Sequence, residues 1–141
     1  MEKLTDKVVL IVGATGGIGA AAAKHLHKSG ATVYITSRYV NKLQILSAEL
    51  GINESRCFIL DFESQESITS VVSNILAQES KIDILINAAG VGIIKNFEQL
   101  TVEDMRKSIQ INLLGPFMVL QAVLNSMKEQ KKGFLQTMFA K

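Results

Sequence analysis

The sequence predicts an α/β fold in which a mostly parallel sheet carries helices on both faces. Two observations carry this reading. Short runs of β-branched and aliphatic residues alternate with stretches of helical periodicity along the 141 residues. Those short runs are apolar throughout, as strands are when both of their faces are covered.

Val8–Val12 is the first expected strand. A helix follows over residues 18–29, with Ile18, Ala21, Ala22, His25 and Leu26 on one stripe and Gly30 placed to end it. His25 is expected to pack at the edge of the core. Residues 32–36 form a second strand, and Val40–Leu50 a helix stopped by Gly51. Residues 56–60 form a third strand. Ser64 caps the next helix, whose Ile68, Val71, Val72, Ile75 and Leu76 repeat with helical spacing. Residues 82–86 form a fourth strand, followed by a loop through Gly90 and Gly92. Thr101 and Asp104 have the spacing of a capping box and open a long helix running to about Gln130. Gly133 ends it, and residues 134–139 have the composition of a fifth strand.

Length and composition fit one domain over residues 1–141 with a single core. Apolar residues make up 48% and charged residues 20%, the balance of an ordinary globular protein. A formal net charge of +2, with scattered basic residues, gives no reason to expect nucleic acid as a partner. Cys57 is the only cysteine, so no internal disulfide can form, which fits a reducing compartment. No apolar run reaches the length of a bilayer crossing, and the charged start, MEKLTDK, is unlike a signal peptide. The expectation is a cytoplasmic chain without a membrane partner.

Gly13-Ala14-Thr15-Gly16-Gly17-Ile18-Gly19 lies between the first strand and the first helix. In that position Gly13 allows a tight turn off the strand, and Gly17 lets the backbone approach a pyrophosphate. Gly19 lets the helix pack closely on the sheet. The helix start then offers free N–H groups and a partial positive charge to the phosphates. A plain glycine-rich turn is the alternative, made less attractive by four glycines in seven residues. An ATP- or GTP-type phosphate loop is excluded, because Ala20 and not lysine follows Gly19. His25 and His27 lie two apart on one helix and point in different directions, so they do not form a metal site.

A site that prefers NAD places an acid at the end of the second strand, against the ribose hydroxyls. Here that strand ends Thr36-Ser37-Arg38. Arg38 suits a 2′-phosphate, and Ser37 can add a hydrogen bond. An exposed surface arginine is the plain alternative. The missing acid places NADP ahead of NAD.

Taken together, these residues resemble the short-chain dehydrogenase/reductase family, single-domain type. The resemblance rests on Gly13-x-x-x-Gly17-x-Gly19, on Asp61 after the third strand, on Asn87-Ala88-Ala89-Gly90 after the fourth, and on Asn112 in Asn-Leu-Leu-Gly-Pro-Phe. It implies a three-layer Rossmann-type fold with about five strands in the order 3-2-1-4-5, incomplete at its carboxyl-terminal edge. It also implies cofactor contacts from Gly13, Thr15, Gly16, Gly17, Ile18, Gly19, Ser37, Arg38, Asp61, Phe62, Asn87, Ala88, Ala89 and Gly90.

Pro116 has no N–H, so the carbonyl of Asn112, four residues earlier, lacks its normal helical partner. A free carbonyl in a kinked helix can hold a water. The resemblance implies that this water serves a proton relay, which would make Asn112 the surviving member of the family's catalytic tetrad. A simple helix kink accounts for the same residues.

The family's serine and Tyr-x-x-x-Lys have no counterparts here. Tyr34 and Tyr39 are the only tyrosines, and Arg38 and Leu43 stand four residues beyond them. Where the fifth strand would end in a serine pair, the chain reads Phe139-Ala140-Lys141. The expectation is therefore a truncated oxidoreductase of the NADP-linked carbonyl/alcohol type, inactive alone. A non-catalytic dinucleotide-binding or regulatory module and a non-functional gene fragment are the alternatives. Association with a like chain or a complete relative is expected through the helix over 101–130.

Overall fold

The computed structural model describes residues 4–131 and 133–137. Five strands form one parallel sheet: β1 Val8–Val12, β2 Thr32–Ser37, β3 Cys57–Ile59, β4 Ile84–Asn87 and β5 Phe134–Thr137. Their order is β3-β2-β1-β4-β5, as the resemblance implied. The helices are α1 Gly17–Lys28, α2 Val40–Leu50, α3 Gln65–Glu79, α4 Val102–Ile109 and α5 Gly115–Glu129. A π-helical segment, Gln110–Leu114, joins α4 to α5 without a break. The part of the expected fifth strand beyond Thr137 lies outside the described residues.

The central strand shows why both sheet faces must be covered. Val8, Leu10 and Val12 enter one apolar cluster with Ile68, Val71 and Ile75 of α3 and Val119 and Val123 of α5. Val9 and Ile11 point the other way, into a cluster with Ala23 of α1 and Leu43 and Leu46 of α2. Each side chain alternates across the sheet, and neither side of the strand meets water.

The helix ends follow the expected chemistry. The Ser64 hydroxyl accepts the Ser67 N–H at 3.0 Å. The Thr101 hydroxyl accepts the Asp104 N–H at 3.1 Å, and the Asp104 carboxylate accepts the Thr101 N–H at 3.0 Å. That reciprocal pair is the capping box. Gly51 closes α2 with φ +68°, a left-handed conformation that glycine adopts without strain.

The packed stripe of α1 differs from expectation. Gly19 and Ala23 are its buried residues, while Ile18 and His25 are exposed. His27, not His25, turns towards the protein, and its Nδ1 is buried without a partner among the described residues. The cause is Gly19. A Cβ there would lie 2.8 Å from Ala14 Cα, so the helix approaches the chain most closely at Gly19. The stripe is set by that contact and not by the larger side chains.

The long helix also corrects an expectation. Val102–Glu129 runs 28 residues and is, by length and composition alone, apolar enough to cross a membrane. Core helices pass the same test, and this one lays Ile111, Val119, Val123 and Met127 into the core. Its opposite side leaves Val102, Met105, Ile109, Leu113 and Phe117 exposed.

At the amino ends of the strands, Asp83 ties the sheet together. Its Oδ2 accepts the Val8 N–H at 2.8 Å and pairs with Lys81 at 2.9 Å. Lys7 stands 3.9 Å from Oδ1. Burial pushes the Asp83 carboxyl up, but the Val8 N–H and the two lysines outweigh it, and the net shift is downward. A depressed folded-state pKa adds stability above the unfolded value, about 4. That stability is lost as the pH falls through the lower folded value. Urea midpoints are therefore expected to fall from pH 5 towards pH 2.5. Asp83→Asn should be less stable at pH 6 and should show a shallower acid loss than the wild type; an identical slope would remove Asp83 as its source.

Candidate functional site

At the carboxyl end of the sheet, the turns that follow β1, β2, β3 and β4 line a cleft. Its walls come from three places. The first is the turn after β1, through Val12, Gly13, Thr15 and Gly16. The second is the end of β2, with Thr36, Ser37, Arg38, Tyr39 and Lys42. The third joins Leu60, Asp61 and Phe62 to Ala88, Ala89, Gly90 and Val91, with Ile111 beneath. This is the crevice at a reversal of strand order, where open parallel sheets bind ligands.

The glycine loop is shaped by close contacts. Gly13 has φ +79°, and a Cβ on it would lie 2.5 Å from the Ala89 N. The turns after β1 and β4 therefore touch backbone to backbone. Gly16 caps α1 with no side-chain hydrogen bond, and no acid occupies the first turn. Its leading N–H groups are left to an anion. Nothing lies within 4 Å of a Cβ on Gly17, so that position opens into free space. A diphosphate fits this cradle.

The polar residues of the second wall hold one another. The Thr15 and Ser37 hydroxyls are 2.7 Å apart, and Ser37 Oγ accepts the Tyr39 N–H at 3.1 Å. Ser37 is buried, so its hydroxyl shapes the turn that presents Arg38. Asp61 Oδ1 accepts the Glu63 N–H at 3.0 Å and holds the third wall in a tight turn.

The π segment fastens that third wall in two places. The Asn112 side chain makes a two-way bond with the backbone of Val91, donating to its carbonyl and accepting its N–H, both at 2.8 Å. Gln110 Nε2 donates to the Phe62 carbonyl at 2.6 Å. The kink expected at Pro116 takes the form of this π turn, closed by the Gly115 N–H on the Gln110 carbonyl.

Of the expected cofactor residues, Gly13, Thr15, Gly16, Ser37, Arg38, Asp61, Phe62, Ala88, Ala89 and Gly90 line one cleft. Gly17, Ile18, Gly19 and Asn87 are not among the residues that line it. Asn87 is buried at the end of β4, and its Oδ1 has no partner among the described residues. Asn112 acts on the cleft through Val91. Sequence reasoning missed Tyr39, Lys42, Val91, Ile111 and Gln110. Lys42 had a signal, four residues past Arg38 on a helix; Gln110 had none.

Tyr34 is not among the residues that line the cleft. Tyr34 is buried and donates to Glu79 at 2.8 Å; burial and that carboxylate push its hydroxyl up to about 12. Tyr39 lies at the rim with Arg38 and Lys42 against its ring.

The parallel sheet, the glycine turn and the cleft at the strand-order reversal define a Rossmann-type dinucleotide-binding fold. The family model described as short chain dehydrogenase matches residues 7–136, and the chain belongs to that family. The D-threitol dehydrogenase of Mycolicibacterium smegmatis is 33% identical over 138 residues, 96% of this chain and 53% of its own length. An uncharacterized oxidoreductase of Staphylococcus aureus (strain MW2) is 32% identical over 137 residues, 96% of this chain and 58% of its own length. A metagenomic short-chain oxidoreductase solved in complex with NADP superposes with a TM-score of 0.88 at 28% identity, covering 96% of this chain and 62% of that one. An actinorhodin polyketide ketoreductase variant with NADPH gives 0.85 at 28%, covering 93% of this chain and 52% of that one. This chain thus spans about half the length of the curated relatives it matches.

Proposed function

We propose that this chain is the cofactor-binding part of an NADP(H)-linked oxidoreductase acting on a carbonyl or alcohol. The observation that carries the reading is the meeting, in one cleft, of an uncapped helix start and a cation at the end of β2, where the chain carries no acid. Bound there, the dinucleotide would supply or accept hydride. The first turn of α1 would hold its diphosphate, Arg38 its 2′-phosphate and Asp61 its adenosine end. The Ala88–Ala89–Gly90 turn, kept in place by Asn112 through Val91, would face the nicotinamide half. The structures solved with NADP and NADPH support the choice of cofactor class.

The 141 residues hold no Tyr-x-x-x-Lys. Positioned proton transfer is worth about 10²–10⁴-fold, and substrate orientation adds to it. These residues alone should therefore bind cofactor without useful hydride transfer. NADPH oxidation over a panel of carbonyl compounds checks this, and clear turnover would overturn it. Calorimetric titration is expected to show NADPH binding ahead of NADH. Arg38→Ala should weaken NADPH about tenfold, as the loss of one charged hydrogen bond does, and leave NADH nearly unchanged.

The exposed row Val102, Met105, Ile109, Leu113 and Phe117 supports association through this helix. Sedimentation of the purified chain should show self-association that Leu113→Lys reduces; a wild-type monomer at high concentration would rule out pairing with a second copy.

A further inference from the structure

We infer that Lys42 is a second phosphate-binding cation of the cleft and sets cofactor choice together with Arg38. The inference rests on the NADP(H) reading and deepens it. Lys42 is the third residue of α2 and lines the cleft with Arg38 and Tyr39. Its Nζ lies 5.1 Å from the centre of the Tyr39 ring, and the Arg38 guanidinium carbon lies 5.7 Å from the same point. One aromatic ring therefore holds two cations at the end of β2, which limits where each can move.

Two cations, Arg38 and Lys42, and one carboxylate, Asp61, line this cleft, so its balance is positive. Lys7 and Lys81 both serve Asp83, and Lys95 serves Asp104. Among the described residues no carboxylate pairs with Arg38 or Lys42. The first turn of α2 carries no acid, and Tyr39 caps that helix with no side-chain bond. A dianionic phosphate monoester in the cleft has three oxygens to share between a guanidinium fork and an ammonium. A ribose 2′-hydroxyl offers neither the charge nor the acceptors.

The test uses 2′,5′-ADP and 5′-AMP as probes, which differ only in the 2′-phosphate. Wild type, Lys42→Met, Lys42→Arg and Lys24→Met are titrated with both by calorimetry at two salt concentrations. Lys24→Met is the control, because it removes an exposed charge of α1 that lies off the cleft. Lys42→Met is expected to lose about tenfold in affinity for 2′,5′-ADP, little for 5′-AMP, and part of the salt dependence. Lys42→Arg should recover most of the loss. A wild type that binds both probes equally would overturn the NADP(H) reading itself. A wild type that prefers 2′,5′-ADP, with that preference intact in Lys42→Met, would overturn only the role of Lys42. Equal losses for both probes in Lys42→Met would also overturn it, since the residue would then act on the fold or the general field. Melting curves of each variant distinguish those two causes.

Discussion

Gly13→Ala is expected to lose about 2–5 kcal/mol of stability and all measurable cofactor binding. Two penalties add. A left-handed backbone costs an L-residue about 1–2 kcal/mol. The new methyl would also lie 2.5 Å from the Ala89 N and 2.6 Å from its Cα, both backbone atoms that cannot swing aside. Overpacking of that kind costs about 1–3 kcal/mol. Small domains have only about 5–15 kcal/mol in total, so the loss takes a large share of it. Gly17→Ala is the informative companion. A Cβ there meets nothing within 4 Å, so stability should stay within about 0.5 kcal/mol of wild type. If the diphosphate occupies that open space, cofactor affinity should nevertheless fall about tenfold or more. Urea melts and cofactor titrations of both variants check the pair. A Gly17→Ala protein that is stable and binds at wild-type strength would place the diphosphate elsewhere.

Gly115→Ala should disturb the opposite wall. Gly115 begins α5, where the helix passes directly over the Phe62 ring. A Cβ on it would lie 2.5 Å from Phe62 Cβ and closer still to the ring. Phe62 is itself buried, between the long helix and the cleft, so the ring has little room to yield. Either the helix lifts or the Asp61–Phe62 turn moves into the cleft. The expected cost is about 1–3 kcal/mol. Because Gln110 holds the Phe62 carbonyl, the displacement should also reach the binding site. Adenosine-containing probes are the readout: affinity for ADP should drop as well as stability. Unchanged ADP binding in a destabilised protein would separate the Phe62 contact from the site.

Much of this was legible in residue order because local chemistry and tertiary structure agree. Val8–Val12 is apolar at every position, and the structure covers both of its faces. Ser64, Thr101 with Asp104, and Gly51 end or begin helices by bonds made within a few residues, so they can be read without a fold. The glycine spacing located the tight turn between β1 and α1 for the same reason. Reading failed where contacts between distant segments decide. The face of α1 depends on how closely Gly19 meets Ala14. The membership of Tyr39 and Lys42 in the cleft depends on where α2 leaves β2. The π turn depends on Pro116 removing one donor while Gln110 and Asn112 find partners 48 and 21 residues away. No window of sequence contains those partners. The long helix was misjudged for a simpler reason. Its charges gather at the two ends, and the polar residues between them interrupt the apolar run without shortening the helix.

The wide turn at Gln110–Leu114 gives the long helix a place to lose a residue. Each residue of a regular helix advances its neighbours by about 100°. The wide turn takes up one surplus residue locally, so the helices on either side keep their faces. Removing one of the five should let the helix close into regular form, with Val119 and Val123 still against the sheet and Thr101 and Asp104 still beside the loop that Lys95 anchors. What such a deletion would release is the pair of side-chain bonds, Gln110 to Phe62 and Asn112 to Val91, that the widened turn aims at the cleft.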